Sequence, residues 1–241
     1  MSIYPQKWHK PFVFSEDHAP IIEKILARYP KDRQQSAVMP LLDLAQRHCG
    51  GWLPQEAMEA VAKMLDMTPL QVWEVASFYT MFHLRPIGQH HIQVCRTATC
   101  HLRGAAALTK RCTEELGIEI GGCTSDQKFS LEEVECLGAC VNAPLVQIND
   151  DYYEDLTPAS LGTLLARLKN DKDIQAGSQT GRFSSAPHYY TPVPYKVKSG
   201  AKAPGASTAS SEKAAVKKPV LKSLNKVAPS IRKKMKGPNN A

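Results

Sequence analysis

No stretch of this 241-residue sequence approaches the roughly 18–20 consecutive apolar residues that a membrane-spanning helix needs. The segment from Met1 to Pro20 has no apolar run and no Arg-rich, acid-free amphipathic pattern. Neither a secretory signal nor a transit peptide is therefore expected, and the mature chain is expected to begin at or near Met1. No G-x-G-x-x-G follows a strand pattern and no P-loop occurs, so the chain is not expected to bind a mononucleotide or dinucleotide on its own. Internal repeats are missing too. Residues 196–241 contain no Phe, Tyr, Trp or Cys.

A basic folded body is also lacking, although the net charge is +7. Residues 1–170 hold 16 Lys and Arg against 20 Asp and Glu, whereas residues 171–241 hold 14 against 3. The body is mildly acidic and the excess cations sit in the tail. This excludes a nucleic-acid-binding body, because phosphate recognition needs cations clustered on a folded surface. The tail is rich in Lys, Pro, Ala and Ser, and is expected to be largely disordered when free. It has two features that could meet a partner. Arg182, Phe183, Pro187, His188, Tyr189, Tyr190 and Tyr195 form an aromatic, Pro-spaced stretch. Val220, Leu221, Leu224, Val227, Ile231 and Met235 recur at three- and four-residue steps among lysines. That pattern suits an acidic partner or an anionic membrane, with Pro229 breaking it into two short pieces.

The first 85 or so residues carry helical periodicity. Ser15 is placed to cap a segment with Ile21, Ile22, Ile25 and Leu26 on one face. Ser36 is placed to cap the next, with Leu41, Leu42, Leu44 and Ala45. A third segment runs from about Pro54 to Leu65. The fourth has the clearest start: Thr68 as cap, Pro69 at the first helical position, and Gln71 closing a capping box. Trp73, Val75, Ala76, Tyr79 and Phe82 follow at helical spacing and are expected to pack a core. From about Gln89 the period changes. Strands are expected at 90–95, 117–121, 129–135 and 145–149, with Asp150-Asp151 turning into Tyr152-Tyr153. Helices are expected at 102–116 and, capped by Thr157, at 158–168. The order indicates an α/β (α+β) fold with one small sheet. The expected divisions are a helical bundle at 1–87, an α/β domain at 88–170 and the tail at 171–241.

The chemistry lies in cysteine. Seven cysteines, an odd number in a chain without a visible export signal, point to a reducing compartment, where paired cysteines more often hold metal than form disulfides. Cys95 and Cys100 form a C-x4-C pair, and after 35 intervening residues Cys136 and Cys140 form a C-x3-C pair. Each pair starts at the carboxyl end of an expected strand. If those strands are neighbours, four sulfurs converge. A four-cysteine zinc site usually uses C-x2-C knuckles. A redox dithiol wants C-x-x-C at a helix start. Cys95 to His101 is a stretched form of a haem-attachment motif, which normally goes with export. Four unrelated thiols are a poor account of two close pairs at matching strand ends. A [2Fe–2S] cluster needs two thiolates on each of two irons, which two loop pairs provide. Ala98, Thr99, Gly138 and Ala139 are small enough to let backbone N–H groups approach it. The remaining cysteines are surplus: Cys49 and Cys112 are expected to be packed, and Cys123, in a Gly-Gly-Cys turn, exposed. The acidic run Glu132-Glu133-Glu135 is expected at a strand edge or an interface rim.

The motifs together carry a resemblance. C-x4-C followed by Leu102-Arg103-Gly104, the run Val134-Glu135-Cys136-Leu137-Gly138-Ala139-Cys140-Val141-Asn142-Ala143-Pro144, and Gln147-Ile148-Asn149-Asp150 with Tyr152-Tyr153-Glu154-Asp155-Leu156 are similar to the 24-kDa-type [2Fe–2S] subunits of respiratory NADH:quinone oxidoreductase, complex I. Ser36 to Leu42, Gly51-Trp52-Leu53, Val75-Ala76 and Phe78 to Phe82 agree as well. The resemblance covers roughly residues 12–170, with Gly181-Arg182-Phe183-Ser184 beyond it. It departs at Ala98-Thr99, where many members have Thr-Pro.

The resemblance implies a thioredoxin-like ferredoxin domain preceded by a small helical bundle. It implies one [2Fe–2S] cluster with Cys95, Cys100, Cys136 and Cys140 as its ligands. It implies electron transfer within an oxidoreductase, with no acid, base or nucleophile of the chain's own. FMN and NADH are expected on a larger partner subunit, and neighbouring peripheral-arm subunits are expected beside it. The expected location is the cytoplasmic side of the inner membrane in a bacterium, or the matrix side in a mitochondrion. The alternatives are the same module in an NAD-linked hydrogenase or formate dehydrogenase, a free-standing thioredoxin-like ferredoxin, or a structural zinc protein.

Overall fold

The structure, a computed structural model, describes residues 12–187. The stretch 188–195 and the amphipathic pieces near 220–235 lie outside the described residues. The helical region contains α1 (Ala19–Leu26), α2 (Val38–His48), α3 (Gln55–Leu65) and α4 (Pro69–Phe78). Ile22, Leu41, Leu42, Leu53, Val61 and Val72 are fully buried in one core between these helices. The start of α4 follows its sequence. The Thr68 hydroxyl accepts the Gln71 N–H, and the Gln71 side chain accepts the Thr68 N–H. These bonds satisfy amides that the first helical turn leaves open.

Two expected caps are not formed. Residues 34–37 make a 3-10 turn, so Ser36 lies inside it and α2 begins at Val38. Pro40 falls in the first turn of α2, where a missing N–H is tolerated. The Ser15 hydroxyl meets His18 Nδ1 at 2.6 Å instead of a backbone amide. The aromatic stripe is also divided, because α4 ends at Phe78. Phe82 is buried and Trp73 and Val75 pack against the core, but Tyr79 is exposed.

The second half is a five-stranded sheet with helices. Its elements are β1 (His90–Cys95), α5 (Ala98–Leu102), α6 (Ala105–Leu116), β2 (Phe129–Val134), β3 (Val146–Ile148), β4 (Asp151–Glu154), α7 (Pro158–Lys169) and β5 (Gly177–Ser178). The spatial order is β2-β1-β3-β4-β5, with β1 parallel to β2 and antiparallel to β3. Strand residues alternate between faces. Ile92, Val94 and Leu131 therefore share a core with Leu108 of α6 and Leu161 and Leu165 of α7. Thr157 caps α7 through Ser160, with Pro158 at the first position.

Two expectations differ from the structure here. Residues 117–121 are turn and loop, not a strand. Gly117 and Gly121 both sit at positive φ, which ends α6 and reverses the chain. The expected helix 102–116 is α6, which starts three residues later at Ala105, and a separate short helix, α5, precedes it, the two meeting at Arg103-Gly104 with Gly104 at φ 97°. Just beyond Asn170 the chain adds β5 beside β4, pairing Tyr153 with Gly177 and Glu154 with Ser178.

Candidate metal centre

The carboxyl ends of β1 and β2 set the site. In their parallel register Cys95 pairs with Val134, so the loops that follow both strands leave the same end of the sheet. The first loop turns at once into α5, which carries Cys100. The second runs from Cys136 to a 3-10 turn at Cys140–Asn142 and a cis Ala143–Pro144 bond. All four cysteines named from the sequence come together here. None of the seven cysteines is in a disulfide. Cys95 and Cys100 are fully buried in a small cluster with Ala105, Ala143 and Leu145; Cys140 is half-buried and Cys136 exposed.

The sulfurs fall into two pairs. Cys136 Sγ lies 3.5 Å from Cys140 Sγ, and the Cys95 and Cys100 thiols are close enough to shift each other's titration. No three of the four sulfurs lie within 4.8 Å of one another. A single tetrahedral zinc with bonds of about 2.3 Å would bring every pair of sulfurs to about 3.8 Å. Two separate pairs instead match two metal atoms with two thiolates each. The donor set fits a [2Fe–2S] group: four sulfurs, two buried, with N–H groups directed at them.

The surroundings bias each pair. Burial raises the Cys95 thiol, but hydrogen bonds from the Thr97 hydroxyl and from the Leu137 and Thr97 amides outweigh it and leave it below its ordinary value. Burial, followed by the bond to Cys95, pushes Cys100 up to about 12. The Gly138 N–H, 3.4 Å from Cys136 Sγ, leads the lowering of Cys136, while its partner Cys140 is raised. In each pair the surroundings lower one thiol and raise the other, and a metal cation, which binds the thiolate form, would displace the protons of both. Gly138 adopts φ 87°, a conformation that turns its amide back toward Cys136 and that side-chain-bearing residues rarely take.

Several supporting residues were not singled out by the cysteine spacing. Thr97 Oγ1 lies 3.4 Å from Cys95 Sγ, and the Tyr152 hydroxyl donates to the Leu137 carbonyl at 2.7 Å. Arg182 reaches back from beyond β5. Its Nη1 donates to Asn142 Oδ1 at 2.8 Å and to the Val141 carbonyl at 3.2 Å, while Nη2 pairs with Asp155 at 3.1 Å. Asn142 donates in turn to Glu154 and to the Ser184 carbonyl. The segment after β5 is therefore strapped across the turn that carries Cys140. The only signal for it in the sequence is the Gly181-Arg182-Phe183-Ser184 motif.

The other sequence expectations fall outside the centre. Cys49 and Cys112 are buried, and burial raises both thiols, to about 11 and about 12. Cys123 is exposed. The acidic run is engaged in contacts: Glu133 accepts the Thr109 hydroxyl at 2.8 Å, and Glu135 lies 3.6 Å from Arg96.

Comparison with known proteins gives the family. A family model described as thioredoxin-like [2Fe-2S] ferredoxin matches residues 22–169. The chain is 56% identical over 160 residues to the E subunit of NADH-quinone oxidoreductase from Rickettsia bellii (strain RML369-C), covering 66% of this chain and 96% of that protein. It is 53% identical over 174 residues to "NADH dehydrogenase [ubiquinone] flavoprotein 2, mitochondrial" of Dictyostelium discoideum, covering 72% and 70%. Among solved structures, an NAD+-reducing [NiFe]-hydrogenase in the H2-reduced state aligns with a TM-score of 0.50 at 22% identity, over 55% of this chain and 22% of that one, which is a likeness of fold. With the paired sulfurs, the sheet that presents them and a bacterial relative matched over nearly its whole length, the chain belongs to the thioredoxin-like [2Fe-2S] ferredoxin family.

Proposed function

We propose that this chain is the electron-transfer subunit of an NADH:quinone oxidoreductase, with one [2Fe–2S] cluster held by Cys95, Cys100, Cys136 and Cys140. The observation that carries the reading is the arrangement of the sulfurs in two pairs at the shared end of β1 and β2. Its relatives' names supply the complex. When bound, the cluster supplies one-electron transfer. The chain's own residues position and insulate it. Cys95 and Cys100 lie out of solvent, and the Leu137 and Gly138 amides direct partial positive charge at the sulfurs of Cys95 and Cys136. The exposed side of Cys136 leaves a path for an electron.

The electron donor in this reading is the flavin of an NADH-binding partner subunit. Leu102, Val141 and Phe183 are large, apolar and mostly exposed. Leu102 lies two residues after Cys100, Val141 follows Cys140, and Phe183 follows the Arg182 that holds this turn. In this reading these apolar positions, each next to a cysteine loop or to its strap, contact a protein partner. The helical region, as a unit at 1–87, serves to dock that partner, and the 88–170 unit carries the cluster. In this reading the chain lies on the cytoplasmic face of the inner membrane, or on the matrix face in a mitochondrion.

The test is purification of the native complex. It should contain a flavin subunit and quinone-reducing subunits, and the isolated chain should carry iron and sulfide in equal amounts, with a paramagnetic signal on one-electron reduction. A quadruple Cys→Ser variant that kept its visible spectrum would overturn the ligand set. Co-purification with hydrogenase subunits instead would overturn the assignment to quinone reduction.

A further inference from the structure

The cleft between the helical region and the sheet, which Cys136 also lines, holds a second set of donors that includes no cysteine. It has a volume of about 510 Å³, and His83 and His91 lie in its wall. His83 sits in the connection between α4 and β1. Its backbone is fastened to the helical region: its N–H donates to Gln46 Oε1 at 2.8 Å, and its carbonyl accepts the Leu53 N–H at 2.7 Å. Its ring reaches the sheet. The ring centroids of His83 and His91 are 4.5 Å apart, with planes at 69°. Glu132, on β2, stands beside β1 opposite Gln93, two residues along from the level of His91. One donor atom from each of His83, His91 and Glu132 lies within 4.8 Å of the other two. No other three His, Cys, Asp or Glu side chains among the described residues meet this closely.

His91 carries the argument. It is 4% exposed. Its Nδ1 lies 2.8 Å from Ser130 Oγ, an atom that also accepts the Gly88 N–H at 3.0 Å. That contact fixes the ring and leaves Nε2 turned toward Glu132. Nε2 is 3.3 Å from Glu132 Oε2 but is not aligned as a hydrogen bond, and it has no other polar partner among the described residues. A buried polar nitrogen in this condition calls for an explanation. One ring nitrogen held by a hydroxyl and the other left open, beside a second imidazole and a carboxylate, is the arrangement of a metal site with two histidines and one carboxylate, its outer shell in place. Two imidazoles favour a first-row transition ion over magnesium or calcium, which prefer oxygen.

We infer that His83, His91 and Glu132 bind a divalent transition ion of the zinc class, with water from the cleft completing its coordination. The ion would join the α4–β1 connection to both β1 and β2. It would fasten the helical region to the sheet that carries the cysteine loops.

The experiment uses the full chain with its cluster loaded, dialysed against zinc, with zinc and iron counted by mass spectrometry. Wild type should bind one zinc more than His83→Ala or Glu132→Gln, each variant binding at that site at least about tenfold more weakly. Iron content and visible spectrum should not change. X-ray absorption at the zinc edge of the wild-type chain provides a second measurement that needs no variant. It should show only nitrogen and oxygen neighbours at about 2.0–2.2 Å. Equal zinc in wild type and folded variants would overturn the site. Sulfur neighbours at about 2.3 Å would overturn it as well, by placing the ion on cysteine.

Discussion

The strap formed by Arg182 gives the sharpest quantitative prediction. Arg182 and Asp155 are 3.1 Å apart with side chains only 13% and 5% exposed. Replacing Arg182 with Met keeps the apolar stem and removes the guanidinium. Asp155 is then left charged and buried. Breaking a buried pair from one side costs about 3–5 kcal/mol. Two further bonds, to Asn142 Oδ1 and the Val141 carbonyl, go with it. Asp155 keeps its bond from the Ser178 hydroxyl at 2.6 Å, which partly compensates. The expected loss is therefore at the lower end, about 3 kcal/mol. For a chain of this size that lowers the melting temperature by roughly 6–12 °C. Asp155 adopts φ 52°, so its neutral variant should be Asp155→Asn, which tolerates that conformation. The double variant Arg182→Met with Asp155→Asn leaves no unpaired charge. It should be less destabilised than the two single variants added together, by about 1–3 kcal/mol. The readouts are far-UV circular dichroism on heating and the rate of bleaching of the visible absorbance at a fixed temperature. Bleaching should accelerate in Arg182→Met, because the strap braces the turn that carries Cys140. A single variant with wild-type melting and bleaching, or a strictly additive double variant, would refute the reasoning.

Other outcomes follow from the same structure. Truncation after Asn170 removes β5 and Arg182 and should speed cluster loss, whereas truncation after Pro187 should not; the comparison is iron retained after gel filtration. Replacing Cys95, one of two fully buried ligand candidates, with Ser should abolish the visible spectrum, while Cys123→Ser should leave it unchanged. Thr68→Ala removes the hydroxyl half of the α4 cap and should cost about 1 kcal/mol in urea unfolding. The Arg47 guanidinium, bonded to Asp150 at 2.8 Å, holds that carboxyl below its ordinary value. Its folded pKa is the lower one, so the stabilisation is present above the unfolded value of about 4 and is lost as pH falls through the lowered value. The pair is exposed, so Arg47→Ala should cost less than about 1 kcal/mol at neutral pH and nothing in acid.

Local chemistry made part of this protein legible before folding. Thr68-Pro69 with Gln71, and Thr157-Pro158, begin helices wherever they stand, because a hydroxyl and a missing N–H resolve the open amides of a first turn. Alternation in Ile92 and Val94 marked β1, and the two cysteine spacings marked the loops. Ser36 misled because a hydroxyl near a helix start competes with other turns, and the 3-10 turn at 34–37 absorbed it. Residues 117–121 misled because glycines at both ends allow either a strand edge or a reversal, and the sequence does not state which.

The inventory was written in the sequence: four cysteines in two loops, each at the end of a strand, within an acidic body that carries a basic tail. Folding decided what those loops could become. Only the parallel pairing of β1 with β2 brings Cys95 level with Val134 and directs both loops the same way. Only the docking of residues 177–184 against β4 places Arg182 on the turn at Cys140. Only the approach of the α4–β1 connection to the sheet sets His83 against His91. These contacts join residues far apart along the chain, and the free energy that selects them comes from burial shared over the whole core. No short window of sequence contains that sum, and so the partners of Arg182 and His91 emerge only when the chain is folded.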